Sequence, residues 1–361
     1  MFSVGGPSLN LGKLADIPIK VHWTFSLLIF FVFYIAVSNE VPRSDLVWFY
    51  GYVLLLFVFV IMHEYGHALT ARKYGIRTRD IIISPIGGIA RLEKLPENPR
   101  HELFIALAGP AVNVVLAFFF FLVQLLTSDF IIPTGEDLNF GSRADFIGYL
   151  LIINIVLVVF NMVPAFPMDG GRVLRSLLSM KIKDRYKATQ WAVWIGQTIA
   201  IVFLLIGFVW DQYMLLLIGV FVFITARAEF RQMRLINRMN TATVNDIMRS
   251  EFTLLKLEDS IRKALTVKEE SNFLVTDENQ NIVGALPDLY IQQAVKEKNV
   301  DMLVRDRMTH SVGTLLDTSS LSHAFRVLNE RGWAIAQVID GNGNKKGVID
   351  RQLLMDFMRS V

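Results

Sequence analysis

The chain has no cysteine. Disulfides and thiolate metal sites are thereby excluded, so any metal must be held by His, Asp or Glu. Charge is also scarce. Charged residues make up 19% of 361 residues, against 53% hydrophobic residues and 27 phenylalanines. That balance excludes an ordinary soluble enzyme and points to a membrane protein. There is no basic stripe interleaved with aromatics, which sets nucleic acid aside as a partner. No basic cluster opens the first apolar run near Val21, so no removable signal peptide is expected, although Ala36-Val37-Ser38 has the form of a cleavage site.

What the sequence does have is unevenly spread. Six apolar runs, 21–38, 47–70, 103–126, 146–163, 189–210 and 213–227, are long enough or nearly long enough to cross a bilayer as helices. Lys and Arg number 21 against 16 Asp and Glu up to residue 240, and 15 against 17 after it. Between the runs, basic residues alternate. The lead-in, the 71–102 loop, the 164–188 loop and 227–240 hold 19, and the opposite-side loops hold only Arg43 and Arg143. Both termini and the two basic loops are therefore expected to face the cytosol. The β-branched stretch 80–92, with Gly87-Gly88 after Pro85, reads as a hairpin that either dips into the membrane interface or lies on the surface.

His63-Glu64-Tyr65-Gly66-His67 lies near the end of the second run. The i, i+4 spacing puts both imidazoles on one helical face, where they can share a Zn²⁺. Glu64 stands beside that face, placed to take a proton from the attacking water and pass it to the leaving amine. Ionisable residues inside a span are costly, and a bound cation offsets that cost. Catalytic zinc usually takes three protein ligands. The best third candidate is Asp169, in the Pro/Gly-rich segment from Asn161 to Arg172. Alone, such an Asp reads as a turn or cap residue; beside two metal-spaced histidines it reads as a ligand. Asn161 is either a donor to a developing oxyanion or a helix-packing residue, and Asn113 and Asn154 carry the same ambiguity. His22, His101, His310 and His323 lack ligand spacing.

With these pieces in order, the chain resembles the site-2 protease family of intramembrane metalloproteases. The resemblance rests on His63-Glu64-Tyr65-Gly66-His67, on Gly109-Pro110 with Asn113, and on Asn161-Met-Val-Pro-Ala-Phe-Pro-Met-Asp169-Gly-Gly, and it covers residues 1 to about 227. It implies a six-helix membrane domain with one zinc per chain on His63, His67 and Asp169. It also implies Glu64 as the acid–base and Asn161 as a substrate or oxyanion contact. The implied activity is zinc metalloendopeptidase cleavage within or next to transmembrane segments of membrane proteins, in regulated intramembrane proteolysis. The 127–145 loop is too short for a PDZ insertion.

Residues 241–361 resemble a tandem pair of CBS modules. Val244-Asn-Asp246-Ile-Met248 and Val304-Arg-Asp306-Arg-Met308 open the two units, and Gly284-Ala-Leu and Gly347-Val-Ile recur near their ends. Nucleotide-binding CBS units follow that strand with Thr/Ser and, three residues on, Asp. Here the strands run into Pro287-Asp288-Leu-Tyr290 and Asp350-Arg-Gln-Leu353, which argues against an adenine nucleotide.

The expected fold is thus a polytopic α-helical membrane protein, six transmembrane helices with a membrane-associated β-hairpin, followed by an α/β CBS pair. The expected domains are 1–227, a basic linker 228–240, and a regulatory 241–361. The expected setting is the plasma (inner) membrane of a prokaryote, with the lipid bilayer and a membrane protein substrate as partners. A homodimer through the CBS modules is compatible with the pattern. A CBS-regulated transporter or channel is the competing reading. It has no need of a general base beside a metal, and His63, Glu64, His67 and Asp169 together discriminate against it.

Overall fold

The computed structural model describes residues 6–38, 43, 45–85, 87–94, 96–127, 143–267 and 270–360. The 127–145 loop lies almost wholly outside the described residues. The chain forms two compact units, Met1–Phe230 and Arg231–Val361.

The first unit opens with a hairpin that the sequence reading did not anticipate, β1 (Ser8–Leu14) and β2 (Ile17–His22). Ala15 and Asp16 join the strands with positive φ of 49° and 62°. Two consecutive left-handed residues give the tight turn whose twist suits a hairpin. The apolar run expected to be helical from residue 21 therefore begins as strand, and its helix, α1, covers Phe25–Ser38. The long helix α2 (Leu46–Lys73) follows, then β3 (Thr78–Ser84) and β4 (Gly87–Leu92). The four strands form one sheet in the order β1-β2-β3-β4, with β2 and β3 parallel. Tyr65, inside the metal motif, pins this sheet to α2. Its hydroxyl donates to the carbonyls of Leu14 (2.8 Å) and Ile17 (3.2 Å), and its ring packs with Ile17, Ala68 and Ile81.

Four further helices follow, α3 (Pro99–Thr127), α4 (Arg143–Asn161), α5 (Asp169–Ile182) and α6 (Arg185–Val209). The stretch expected as a 164–188 loop thus contains a helix. Pro164 and Pro167 separate it from α4, because neither has an N–H to continue the ladder. A last helix, α7, runs unbroken over Tyr213–Thr241, so residues 228–240, expected as a linker, are helical. Among the described residues α2, α3, α6 and α7 are long and apolar enough to cross a membrane, while α1 and the apolar part of α4 (Asp145–Asn161) are shorter. Large apolar side chains cover the outside. Phe30, Leu54, Phe118 and Phe208 are 60–77% exposed. The buried positions include His63, Glu102, Asn113, Asn154 and Arg175.

Arg175 is the largest of these. It donates from Nε (2.8 Å) and Nη2 (2.5 Å) to Glu102 of α3 and from Nη1 to Glu229 of α7 (2.7 Å). Its guanidinium also lies over the Phe166 ring, 4.9 Å from the centroid. One side chain of α5 thereby ties three helices together.

The second unit is a duplicated fold. A 3-10 turn at Val244–Asp246 leads into β5 (Leu254–Lys256), α8 (Ile261–Thr266), β6 (Phe273–Thr276), β7 (Ile282–Leu286) and α9 (Asp288–Lys296). The series then repeats as a 3-10 turn at Val304–Asp306, β8 (Thr314–Leu316), α10 (Leu321–Glu330), β9 (Ile335–Ile339), β10 (Lys345–Asp350) and α11 (Arg351–Arg359). Each repeat has its own three-stranded sheet. The two cores are built reciprocally. Val244, from the first repeat's opening turn, packs among Leu315, Leu321 and Leu328 of the second. Val304, from the second repeat's turn, packs among Leu255, Ile261 and Phe273 of the first. Backbone bonds match, Val244 N–H to Ser319 and Val304 N–H to Asp259, both 2.8 Å.

Candidate metal centre

Helix α2 supplies the first two side chains of the site. His63 and His67 stand one turn apart and are 5% and 4% exposed. Helix α3 must come close to leave room for them, and two glycines allow it. A Cβ on Gly66 would sit 2.6 Å from the Ala108 carbonyl oxygen, and one on Gly109 would run into both imidazoles. The third side chain, Asp169, is the first residue of α5 and is also buried.

The three converge. Asp169 Oδ2 lies 3.0 Å from His63 Nε2 and 3.1 Å from His67 Nε2, and the two Nε2 atoms are 3.1 Å apart. They are the one group of three or more such residues among those described whose donor atoms are near enough to share an ion. On a tetrahedral zinc at ~2.0–2.1 Å, donors stand roughly 3.3 Å from one another. The arrangement also fixes what the atoms are. His67 Nδ1 lies 2.6 Å from the Ile105 carbonyl oxygen, which only accepts, so the proton is on Nδ1. His63 Nδ1 lies 2.5 Å from Asn113 Oδ1, which likewise takes a proton. Two imidazole lone pairs and a carboxylate oxygen then point at one spot. They repel one another unless a cation lies between them, so the donor set fits zinc.

Glu64 is half-buried beside this triangle. Its Oε2 accepts the Ala90 N–H of β4 at 2.8 Å, so the edge of the sheet meets the helix at the metal motif. Asn161, the last residue of α4, turns its amide to its own helix and donates to the Leu157 carbonyl at 3.0 Å. The structure thus brings His63, His67 and Asp169 together with Glu64 adjacent, and leaves Asn161 outside their hydrogen bonds.

Two features went unassigned in the sequence. Asn113 and Asn154 are fully buried and bonded to each other, Nδ2 to Oδ1 at 2.9 Å. Glu102 and Arg175 form the ion pair described above. For the two asparagines the available signal was the cost of an amide inside an apolar run, which marks such residues without pairing them; Glu102 and Arg175 lie in the stretches read as basic loops, where a charge carries no such signal.

In the tail, Asp350 is 2% exposed. One of its oxygens caps α11 by accepting the Leu353 N–H (2.8 Å), and the other accepts from Asn272 Nδ2 (3.2 Å). Asn272 Oδ1 in turn accepts the Asp288 N–H at 3.1 Å.

The chain is similar to known proteins. A sequence model of peptidase family M50 matches residues 51–140 and 128–206, and one of the CBS domain matches 304–360, the second tail repeat. Zinc metalloprotease MJ0392 of Methanocaldococcus jannaschii is 32% identical over 281 residues, 77% of this chain and 78% of that one. The Synechocystis protein sll0528 is 25% identical over 390 residues, 99% of this chain and 98% of its own. The solved site-2 protease from Methanocaldococcus jannaschii is 34% identical, covering 62% of this chain and 95% of that one with a TM-score of 0.46.

Proposed function

The chain belongs to peptidase family M50, and from that premise we propose that it is a zinc endopeptidase cutting membrane proteins within or next to their transmembrane segments. His63, His67 and Asp169 hold one zinc ion per chain, and Glu64 is the acid–base. The observation that carries this reading is the triangle of three lone-pair donors, 3.0–3.1 Å on each side, with a carboxylate next to it.

When bound, zinc supplies a Lewis acid that polarises the scissile carbonyl and makes water a better nucleophile. Glu64 takes the proton of the attacking water and hands it to the leaving amine. The Ala90 N–H keeps its carboxylate beside the histidine face. Asn161 gives one amide N–H to Leu157 and keeps the second for the developing oxyanion. A helical substrate has its carbonyls tied up in i to i+4 bonds, so it must unwind first. The sheet ends at β4, whose open edge can take an extended segment as a further strand.

All six apolar runs cross the plasma membrane of a prokaryote, with both termini cytosolic and β3–β4 at the interface. Residues 1–227 are the protease domain. Residues 241–361 are a CBS pair that regulates access to it without gripping an adenine nucleotide in the usual way, because neither Pro287-Asp288-Leu-Tyr290 nor Asp350-Arg-Gln-Leu353, at the ends of the two strands, carries the Thr/Ser-plus-Asp pair.

The test begins with Glu64→Gln as a substrate trap, crosslinked in membranes so that the captured protein can be identified. Against that protein Glu64→Gln should be inactive yet keep its zinc. His67→Ala should lose both, and Asp169→Ala should hold metal less firmly. Wild-type cleavage by Glu64→Gln would end the proposed mechanism.

A further inference from the structure

The two imidazoles of the site are held by different devices. His67 has its proton fixed on Nδ1 by a backbone carbonyl, that of Ile105, which cannot turn over. The partner of His63 is a side-chain amide, and an amide offers oxygen or N–H₂ depending on which way it faces. Facing the wrong way, Asn113 would offer N–H₂ to Nδ1. The His63 proton would then move to Nε2, where it points at Asp169 and removes the lone pair a metal needs.

What sets the direction of Asn113 lies one helix further on. The chain of bonds starts at the Leu150 carbonyl of α4, which only accepts. Asn154 Nδ2 donates to it at 2.8 Å, so Asn154 must present Oδ1 on its other side. That oxygen lies 2.9 Å from Asn113 Nδ2, so Asn113 in turn presents Oδ1 to His63, at 2.5 Å. Both asparagines are 0% exposed, which leaves no solvent to take over either bond. Turning one amide over sets N–H against N–H and oxygen against oxygen in a buried place, and each unmade bond there is costly. The polarity of a backbone carbonyl on α4 is thereby passed, through two amides on two helices, to a histidine on a third.

We infer that Asn154 and Asn113 are positioning residues that select the metal-competent tautomer of His63. The inference rests on the metal reading proposed above. Neither asparagine touches the metal position; Asn113 acts through His63, and Asn154 through Asn113. Outer partners of this kind alter metal affinity by roughly 10–100-fold when they are removed.

The test uses the full-length protein in detergent, with zinc retention against a graded chelator as the readout and a thermal melt to confirm folding. Asn154→Leu keeps the shape but frees Asn113 to turn, and should lower zinc affinity by roughly 10–100-fold. Asn154→Asp should stay close to wild type. Between a backbone carbonyl and an amide, with no cation beside it, this carboxyl stays protonated, so its O–H serves Leu150 and its C=O serves Asn113. Asn113→Asp should restore zinc in the Asn154→Leu background, where its carboxyl, ionised against the Nδ1–H of a metal-bound imidazole, accepts whichever way it turns. A role in packing alone predicts the opposite order, with leucine tolerated and the acids harmful. Wild-type zinc affinity in Asn154→Leu, equal losses in the Leu and Asp variants, or failure of Asn113→Asp to rescue would overturn the relay. A wild-type protein that binds no zinc at all would sink the metal reading and the relay with it.

Discussion

The two units solve opposite problems of burial. In Met1–Phe230 the polar groups are inside and the large apolar side chains outside, as Asn113 and Asn154 at 0% and Phe208 at 77% exposure illustrate. In Arg231–Val361 the cores are apolar, and ion pairs such as Arg262–Asp301 and Arg305–Glu258 stand on the surface. Each arrangement suits a different solvent, hydrocarbon for one and water for the other. The difference also decides where information about function lies. In the first unit the buried amides Asn113 and Asn154 and the buried pair Glu102–Arg175 are bonded to the site or to the helices that carry it. In the second, a buried carboxylate such as Asp350 is committed to its own fold.

This comparison can be broken most easily at Arg175. Replacing it with Met takes the shared cation from Glu102 and Glu229 and leaves Glu102 with Arg185 alone, at 3.0 Å. Breaking a buried pair from one side costs about 3–5 kcal/mol. Thermal melting of the detergent-solubilised Arg175→Met protein should drop sharply, and zinc retention with it, since α5 begins at Asp169. A wild-type melt would mean that the first unit does not depend on its interior charges.

A smaller effect is expected in the apolar cores of the tail. Val244→Ala removes two buried methyl groups from the second repeat, about 1–2 kcal/mol by area and methylene bookkeeping. Hydrogen exchange in the full-length protein should show the loss of protection in β8–β10, α10 and α11. If β5–β7 loosen instead, the cores are not reciprocal.

The smallest expected effect is none. Adenosine triphosphate or monophosphate titrated into the full-length protein should give no binding heat, because neither repeat follows its last strand with the Thr/Ser and Asp pair that holds ribose. Micromolar affinity would show that the tail holds a ligand site after all and would dissolve the contrast drawn above.

Much of the site was legible because its chemistry is local. His63 and His67 are four residues apart in an apolar run, and Asp169 stands after two prolines and before two glycines. The 80–92 stretch pairs as a hairpin because Ile81-Ile82-Ile83 fits a buried strand. What stayed hidden depends on distance or on context. Asn113 and Asn154 are 41 residues apart, and Glu102 and Arg175 are 73 apart, so no local pattern couples them. Helix α5 was obscured because Asp169-Gly170-Gly171 has the composition of a turn, and packing against α3 and α6 outweighs that propensity. The β1–β2 hairpin turns on Ala15-Asp16 without glycine or asparagine, so its usual signal is missing.

The reciprocal cores of the tail bear on how the chain can be made and how it could have arisen. A ribosome releases Val244 long before Leu315, Leu321 and Leu328, so the first repeat's turn must wait for a core that does not yet exist. The first repeat has all three of its strands by Leu286, yet stays open until Val304 arrives from its successor. Half of the tail is therefore no intermediate on which synthesis can pause safely, since both apolar faces are uncovered at that point. The same arithmetic applies to ancestry. A single copy of the repeat standing alone would have no partner to receive its opening turn except another copy of itself. The duplication inside this chain is what an association of two separate chains looks like once they are joined end to end.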